Sequence, residues 1–280
     1  MSHNINYRTI SHKYTPQFQR NSDIHTVAMV IEPGTWELHD PFLGMAHDIM
    51  RSGLFGVHPH RGIETVTYMI EGNLNHYDSK HGVGILHPGD AQWMTAGRGV
   101  EHVEDAVPGD QVNLLQLWVN IPAKHKMTSP RYQDLRKDEM PIKVENGVST
   151  KVFSGSINGL TSPTMNITPV TMVEYKMMAG SDVTSKIPGS YNGFLYVLKG
   201  SGIFGIEHTK GKAGDVLWLD TGNNAEISEI KIKAEEDTHV MLYAGEPIGE
   251  PVVARGPFVM NTEEEIIQAF SDYSNGTFLD

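Results

Sequence analysis

Two stretches far apart in this chain carry the same pair of motifs in the same order. Tyr68-Met69-Ile70-Glu71-Gly72 precedes Pro88-Gly89-Asp90-Ala91-Gln92-Trp93-Met94, and Tyr196-Val197-Leu198-Lys199-Gly200 precedes Ala213-Gly214-Asp215-Val216-Leu217-Trp218-Leu219. Each copy reads as a strand, a glycine turn, then a Gly-Asp turn feeding a second strand. A supersecondary unit repeated at long period predicts a duplicated domain. The length of 280 residues suits two domains, at roughly 100–200 residues each. Other short runs rich in Val, Ile, Tyr and Thr and bounded by Gly, Pro, Asn or Asp, such as HTVAMVIEP, NLLQLWVNIP and THVMLYAGE, predict an all-β fold.

One helix is expected near the end. Thr262 caps it with Glu265 reaching back, Ile266, Ile267 and Phe270 follow at helical spacing, and Gly276 stops it. Between Pro122 and Gly147 the chain is polar, charged and broken by proline. That segment reads as a solvated connection in which Lys124, Lys126, Arg131, Arg136 and Lys137 interleave with acidic residues. The expected domains are therefore 1–130 and 131–280.

Composition narrows the chemistry. The absence of cysteine excludes disulfides, thiolate metal sites and cysteine nucleophiles, so any metal must be held by His, Asp or Glu. A formal charge of −12 argues against direct binding to a phosphate backbone. With no apolar run long enough for a membrane span and no secretion-like start, the expectation is a cytoplasmic protein without a membrane partner.

The two copies of the repeat differ in one respect. His58, His60 and Glu64 sit just before the first Tyr-x-x-x-Gly, whereas the same spacing in the second copy lands on Lys186, Pro188 and Asn192. His102 and Glu104 follow the first Gly-Asp-x-x-Trp strand, and their counterparts are Ile227 and Glu229. On a strand, residues i and i+2 point to one face about 6.5–7 Å apart. Two strands can thus aim His58, His60, His102 and Glu104 at one point, holding a divalent metal with coordination positions left for water or substrate. Glu64 is the rival for the carboxylate position, or else an acceptor for an imidazole N–H. The metal is expected in the first domain and not in the second.

The blocks HPHRGIETVTYMIEG at 58–72, GDAQWMTAGRGVEHVE at 89–104, QLWVNIPAKHKM at 116–127 and GEPVVARGPFVMNTEEEI at 249–266 resemble the pirin family, a bicupin family. The resemblance implies two tandem cupin β-barrels of jelly-roll type with a short C-terminal helix. It implies a metal on His58, His60, His102 and Glu104, which favours Glu104 over Glu64. Iron as Fe(II) is the metal it implies; Ni, Mn, Cu and Zn also suit such a donor set. It further implies either oxygen-dependent opening of a flavonol ring, a quercetinase reaction with Glu104 accepting the proton of the 3-hydroxyl, or a non-catalytic metal- or redox-sensing co-regulator that binds a partner protein. The expected small-molecule partner is a chelating, flavonol-like compound. The sequence departs from the family at Met45-Ala46-His47-Asp48, on a stretch read as a loop leading to the ligands. His47 and Asp48 either line its mouth or are exposed loop residues, which leaves substrate preference open.

Overall fold

The structure, a computed structural model, describes residues 6–78, 82–221 and 226–280. Strands dominate, as expected, and the alternation of buried and half-buried positions along Val100–Ala106 and Ile227–Ala234 shows why: every second side chain faces a core. No helix among the described residues is long and apolar enough to cross a membrane.

The chain forms two compact units, each discontinuous in sequence. One comprises Gln17–Asp138, Asn166–Thr168 and Ile248–Asp280; the other comprises the described residues before Gln17, Glu139–Met165 and Pro169–Pro247. This differs from a continuous division at 130/131. The polar connection is the reason on one side: Arg131–Leu135 is an edge strand paired with Ala91–Thr95, and its half-exposed composition is that of a sheet edge. In the second unit the equivalent edge is filled from the opposite end of the chain, by Ile10–Tyr14 pairing with Val216–Leu219.

In the first unit, a seven-stranded sheet contains, in order, Arg131–Leu135, Ala91–Thr95, Ile63–Glu71, Gln111–Asn120, Phe42–Arg51, His25–Ile31 and Gln19–Ser22. A four-stranded sheet contains His58–His60, Val100–Ala106, Leu74–Asp78 and Gly82–Leu86. The second unit repeats the plan with a seven-stranded and a five-stranded sheet. The duplicated motifs occupy equivalent places. Tyr68 pairs with Ala91 and Val66 with Trp93, as Tyr196 pairs with Val216 and Phe194 with Trp218. The amides of Gly89 and Gly214 donate to the carbonyls of Met69 and Val197, each at 2.8 Å. Asp90 and Asp215 in turn accept from the amides three residues back, those of His87 and Lys212. Gly72 and Gly200 adopt φ of +76° and +80°, and a Cβ there would run into the carbonyls of Gln111 and Asp237.

The interior of the second unit is a packed apolar cluster including Val152, Val173, Tyr175, Leu195, Phe204, Leu217, Ile232 and Leu242. Lys186 pairs in register with Glu229 and makes an ion pair with it at 3.5 Å, the lysine side chain 59% exposed. Lys186, at the place of His58 in the repeat, thus serves the outer surface.

The helix Glu263–Asn275 has the expected capping box at Thr262 and Glu265 and ends at Gly276 in the left-handed conformation. It packs on the hairpin Val253–Arg255/Phe258–Met260 through Ile266 and Ala269, and Phe270 meets the ring of Phe258 at 4.9 Å. Ile267, expected on the apolar stripe, is exposed.

Two readings of the sequence need correction. Lys126 is not solvated: its ammonium is buried and donates to the carbonyls of Gly62 and Val259 and to Asn120 Oδ1, at 2.8–2.9 Å. Residues 42–51 are not a loop but a ten-residue strand between His25–Ile31 and Gln111–Asn120, which buries both His47 and Asp48.

Candidate metal centre

Strand register brings the histidines together. Val100–Ala106 runs antiparallel to His58–His60, with His102 opposite His58 and Val100 opposite His60. The i, i+2 spacing turns His58 and His60 to one side, and His102 faces them across the ladder. One nitrogen from each of the three lies within 4.8 Å of the others. The ring centroids are 4.5–5.1 Å apart.

The histidine nitrogens are poised to donate lone pairs to a metal. His58 Nδ1 donates to the carbonyl of Gly56 at 2.9 Å, which leaves its Nε2 lone pair available. Among the described residues, no hydrogen-bond partner reaches His60 Nδ1 or either ring nitrogen of His102, all of them buried. Burial, reinforced by the neighbouring imidazoles, holds His60 well below its usual pKa and lowers His102 to about 3. Neutral rings at neutral pH are the ligating form. Orphaned buried nitrogens cost stability unless something accepts their lone pairs. This donor set, three imidazoles and no thiolate, fits a divalent first-row cation.

Glu104 lies on the same strand as His102 and lines the same cavity, but its carboxylate is outside the tight three-histidine group. It is held in place instead. Gln116 Nε2 donates to Oε2 at 3.0 Å, and the Thr67 hydroxyl lies 2.8 Å from Oε1 and 2.5 Å from Gln116 Oε1. Glu64 goes elsewhere. Its same-face placement with His58 and His60 required an unbroken strand, but the chain turns at Arg61-Gly62, and Ile63–Glu71 joins the other sheet. Gly62 makes that corner at φ +80°, where a Cβ would collide with the Val259 carbonyl. The Glu64 carboxylate accepts from Thr95 Oγ1 at 2.7 Å and from the amide of Ile167 at 3.1 Å, and burial raises its pKa.

A cavity of about 260 Å³ opens on the cluster, lined by Asp48, Met50, Phe55, Glu104, Gln116 and Trp118 among others. Asp48, Phe55, Gln116 and Trp118 also line a second chamber of about 640 Å³, walled by Val27, Met29, Trp36 and Met45. His60 meets the edge of Trp118 at 5.2 Å. Behind His102 stand His76, at 5.8 Å between rings, and the Tyr132 hydroxyl donating to Asp78 Oδ2 at 2.8 Å. Burial and the Asp78 carboxylate push the Tyr132 phenol well up, so it stays a donor. Asp48 does face the cavity; His47, one residue away on the alternating strand, turns to Asn113 at 2.6 Å and to the ring of Phe18. Gln116, Thr67, Trp118 and Tyr132 carried no sequence signal, because their approach to the histidines is a matter of long-range register.

Comparison with known proteins agrees with this architecture. The family model described as Pirin matches residues 17–119, and the one described as Pirin C-terminal cupin domain matches 172–279. The Pirin-like protein 2 of Arabidopsis thaliana is 38% identical over 275 residues, covering 96% of this chain and 85% of that protein. The crystal structure of GK1651 from Geobacillus kaustophilus superposes with a TM-score of 0.87 at 52% identity, covering 89% of this chain and 100% of the other. A quercetin 2,3-dioxygenase from Acinetobacter baumannii superposes with a TM-score of 0.85 at 29% identity, covering 97% and 98%.

Proposed function

The chain belongs to the pirin family, and from that premise we propose that it is a metal-dependent dioxygenase that opens the ring of flavonols of the quercetin type. One observation carries the reading: three imidazoles converge beside a cavity that shares Asp48, Phe55, Gln116 and Trp118 with a larger, mostly apolar chamber. A planar polyphenol with a chelating end suits such a space. The likeness to a protein described as a quercetin 2,3-dioxygenase supports the same substrate class.

In this reading His58, His60 and His102 hold the cation and Glu104 is its fourth protein ligand or its closest acidic neighbour. A divalent metal there supplies Lewis-acid stabilisation of a chelated phenolate. Iron(II) is the metal proposed, with nickel, manganese, copper or zinc able to occupy the same donors. Glu104 takes the proton of the 3-hydroxyl. The Gln116 amide and the Thr67 hydroxyl donate to its carboxylate and aim it. Trp118, Met50 and Leu114 keep the cavity wall apolar and limit water at the reacting end.

The test is oxygen uptake by the iron-loaded protein with quercetin, alongside metal analysis. Uptake that is lost in His60→Ala is the expected result. A fully metal-loaded protein that consumes no oxygen with any chelating flavonol would overturn the enzyme reading, and metal-dependent capture of a defined partner protein would then favour a co-regulatory role.

A further inference from the structure

The strand Phe42–Arg51, where the sequence departs from the family pattern, places an acid at the junction of the two cavities. Asp48 is 7% exposed yet lines both the metal-facing cavity and the outer chamber. Its direct partner across the ladder is Val27, which puts His25, two residues back on that strand, diagonally beside it. His25 Nε2 donates to Asp48 Oδ1 at 2.7 Å. Among the described residues, no hydrogen bond reaches the other oxygen, Oδ2. The outer chamber's wall is mostly apolar, with Val27, Met29 and Ala46, and carries Asn21 and Gln116 as its other polar side chains besides His25. A carboxylate oxygen on such a wall is costly until a donor reaches it.

The pair also stands close to the metal cluster. Phe55 lies between the two sites, its ring 6.1 Å from that of His25 and 6.1 Å from that of His58. One aromatic ring therefore separates a chelating site from an acceptor, and Asp48, His58 and His60 line the same cavity.

Resting on the flavonol reading above, we propose that Asp48, oriented by His25, is a specificity-determining residue: it accepts a hydrogen bond from a second phenolic hydroxyl of a ligand chelated at His58, His60 and His102. The protein then selects polyhydroxylated flavonols over those with the chelating hydroxyl alone. A site built to pair with a hydroxyl discriminates strongly against the analogue that lacks it, because its own polar group is left unpaired.

The experiment measures equilibrium binding, by ligand fluorescence and calorimetry without oxygen, of quercetin and of 3-hydroxyflavone to the metal-loaded protein. Asp48→Asn, which keeps the shape of the side chain, is expected to lose at least about tenfold more affinity for quercetin than for 3-hydroxyflavone. His25→Ala, which leaves the acid but frees it, is expected to show the same split at smaller size. Metal content and thermal melting identify a variant that has failed to fold, in which case the other variant decides. Equal losses for the two ligands, or no loss, would overturn the assignment. If the unaltered protein binds neither flavonol in a metal-dependent way, the flavonol reading fails and this inference falls with it.

Discussion

His60 and His102 give up hydration without a full set of hydrogen-bond partners among the described residues, and that has measurable consequences. His60→Ala and His102→Ala are expected to reduce bound metal to background, by elemental analysis of protein purified with iron. Glu64→Gln is expected to keep its metal and to lose about 1–3 kcal/mol of stability in chemical denaturation, because the amide NH2 that replaces Oε2 faces the Ile167 N–H and cannot accept from it. Metal lost in Glu64→Gln but retained in Glu104→Gln would mean the two carboxylates have exchanged roles. The same burial predicts a pH dependence. His102 has a folded pKa of about 3, against about 6.5 unfolded. Between those values the unfolded chain binds a proton that the folded chain does not, so the stability of metal-free protein falls as pH drops below about 6.5. At pH 5 the loss from His102 is about 2 kcal/mol. Urea midpoints at pH 7 and pH 5 measure it; a flat profile, or one as steep in His102→Phe, would count against the assignment. The i, i+2 histidines were legible from spacing alone, since a strand must turn both to one side. The face of Glu64 was not, because one glycine at position 62 redirects the chain after His60.

At the scale of elements, Lys126 joins three segments that are distant in sequence. From the turn after Gln111–Asn120 it reaches the corner carbonyl of Gly62, the side chain of Asn120, and Val259 in the hairpin under the terminal helix. Arg61, at the same corner, makes an ion pair with Asp272 of that helix at 2.6 Å and lies 4.5 Å over the ring of Phe278. The helix end and the strand His58–His60 are thus tied through one two-residue turn. Lys126→Met keeps the length of the side chain but strips three buried acceptors of a donor. It is expected to cost about 2–4 kcal/mol in chemical denaturation, and a cost below about 1 kcal/mol would show that the lysine is incidental to the join. Most elements here could be read from the sequence: the alternating strands, the Gly-Asp turns, and the capping box at Thr262 are each set by local chemistry. Lys126 and Arg131–Leu135 could not. A charged, proline-broken segment looks the same whether it is solvated or forms a sheet edge, and only its partner Ala91–Thr95 decides.

Over the whole molecule, the two units share one plan and have opposite interiors: imidazoles and open space in one, Tyr175, Phe204 and aliphatic side chains in the other. Chain continuity follows neither unit. The strand Ile10–Tyr14 completes the sheet of the second, and residues from Ile248 onward complete the first, a pairing that no local pattern in the termini announces. A ligand that binds only the folded first unit stabilises it by RT ln(1 + [L]/Kd), about 2.7 kcal/mol at a hundredfold excess over Kd. The stabilisation belongs to the elements that carry the ligands. Adding metal should therefore slow amide hydrogen exchange in peptides covering His58–His60, Val100–Ala106 and Gln111–Asn120, while peptides covering Val170–Met177, Asn192–Lys199 and Thr238–Gly245 change far less. Exchange measured with and without metal, resolved by peptide, tests this directly. Equal slowing in both sets would mean the units unfold as one, and slowing confined to the second set would place the metal in the wrong half of the duplication.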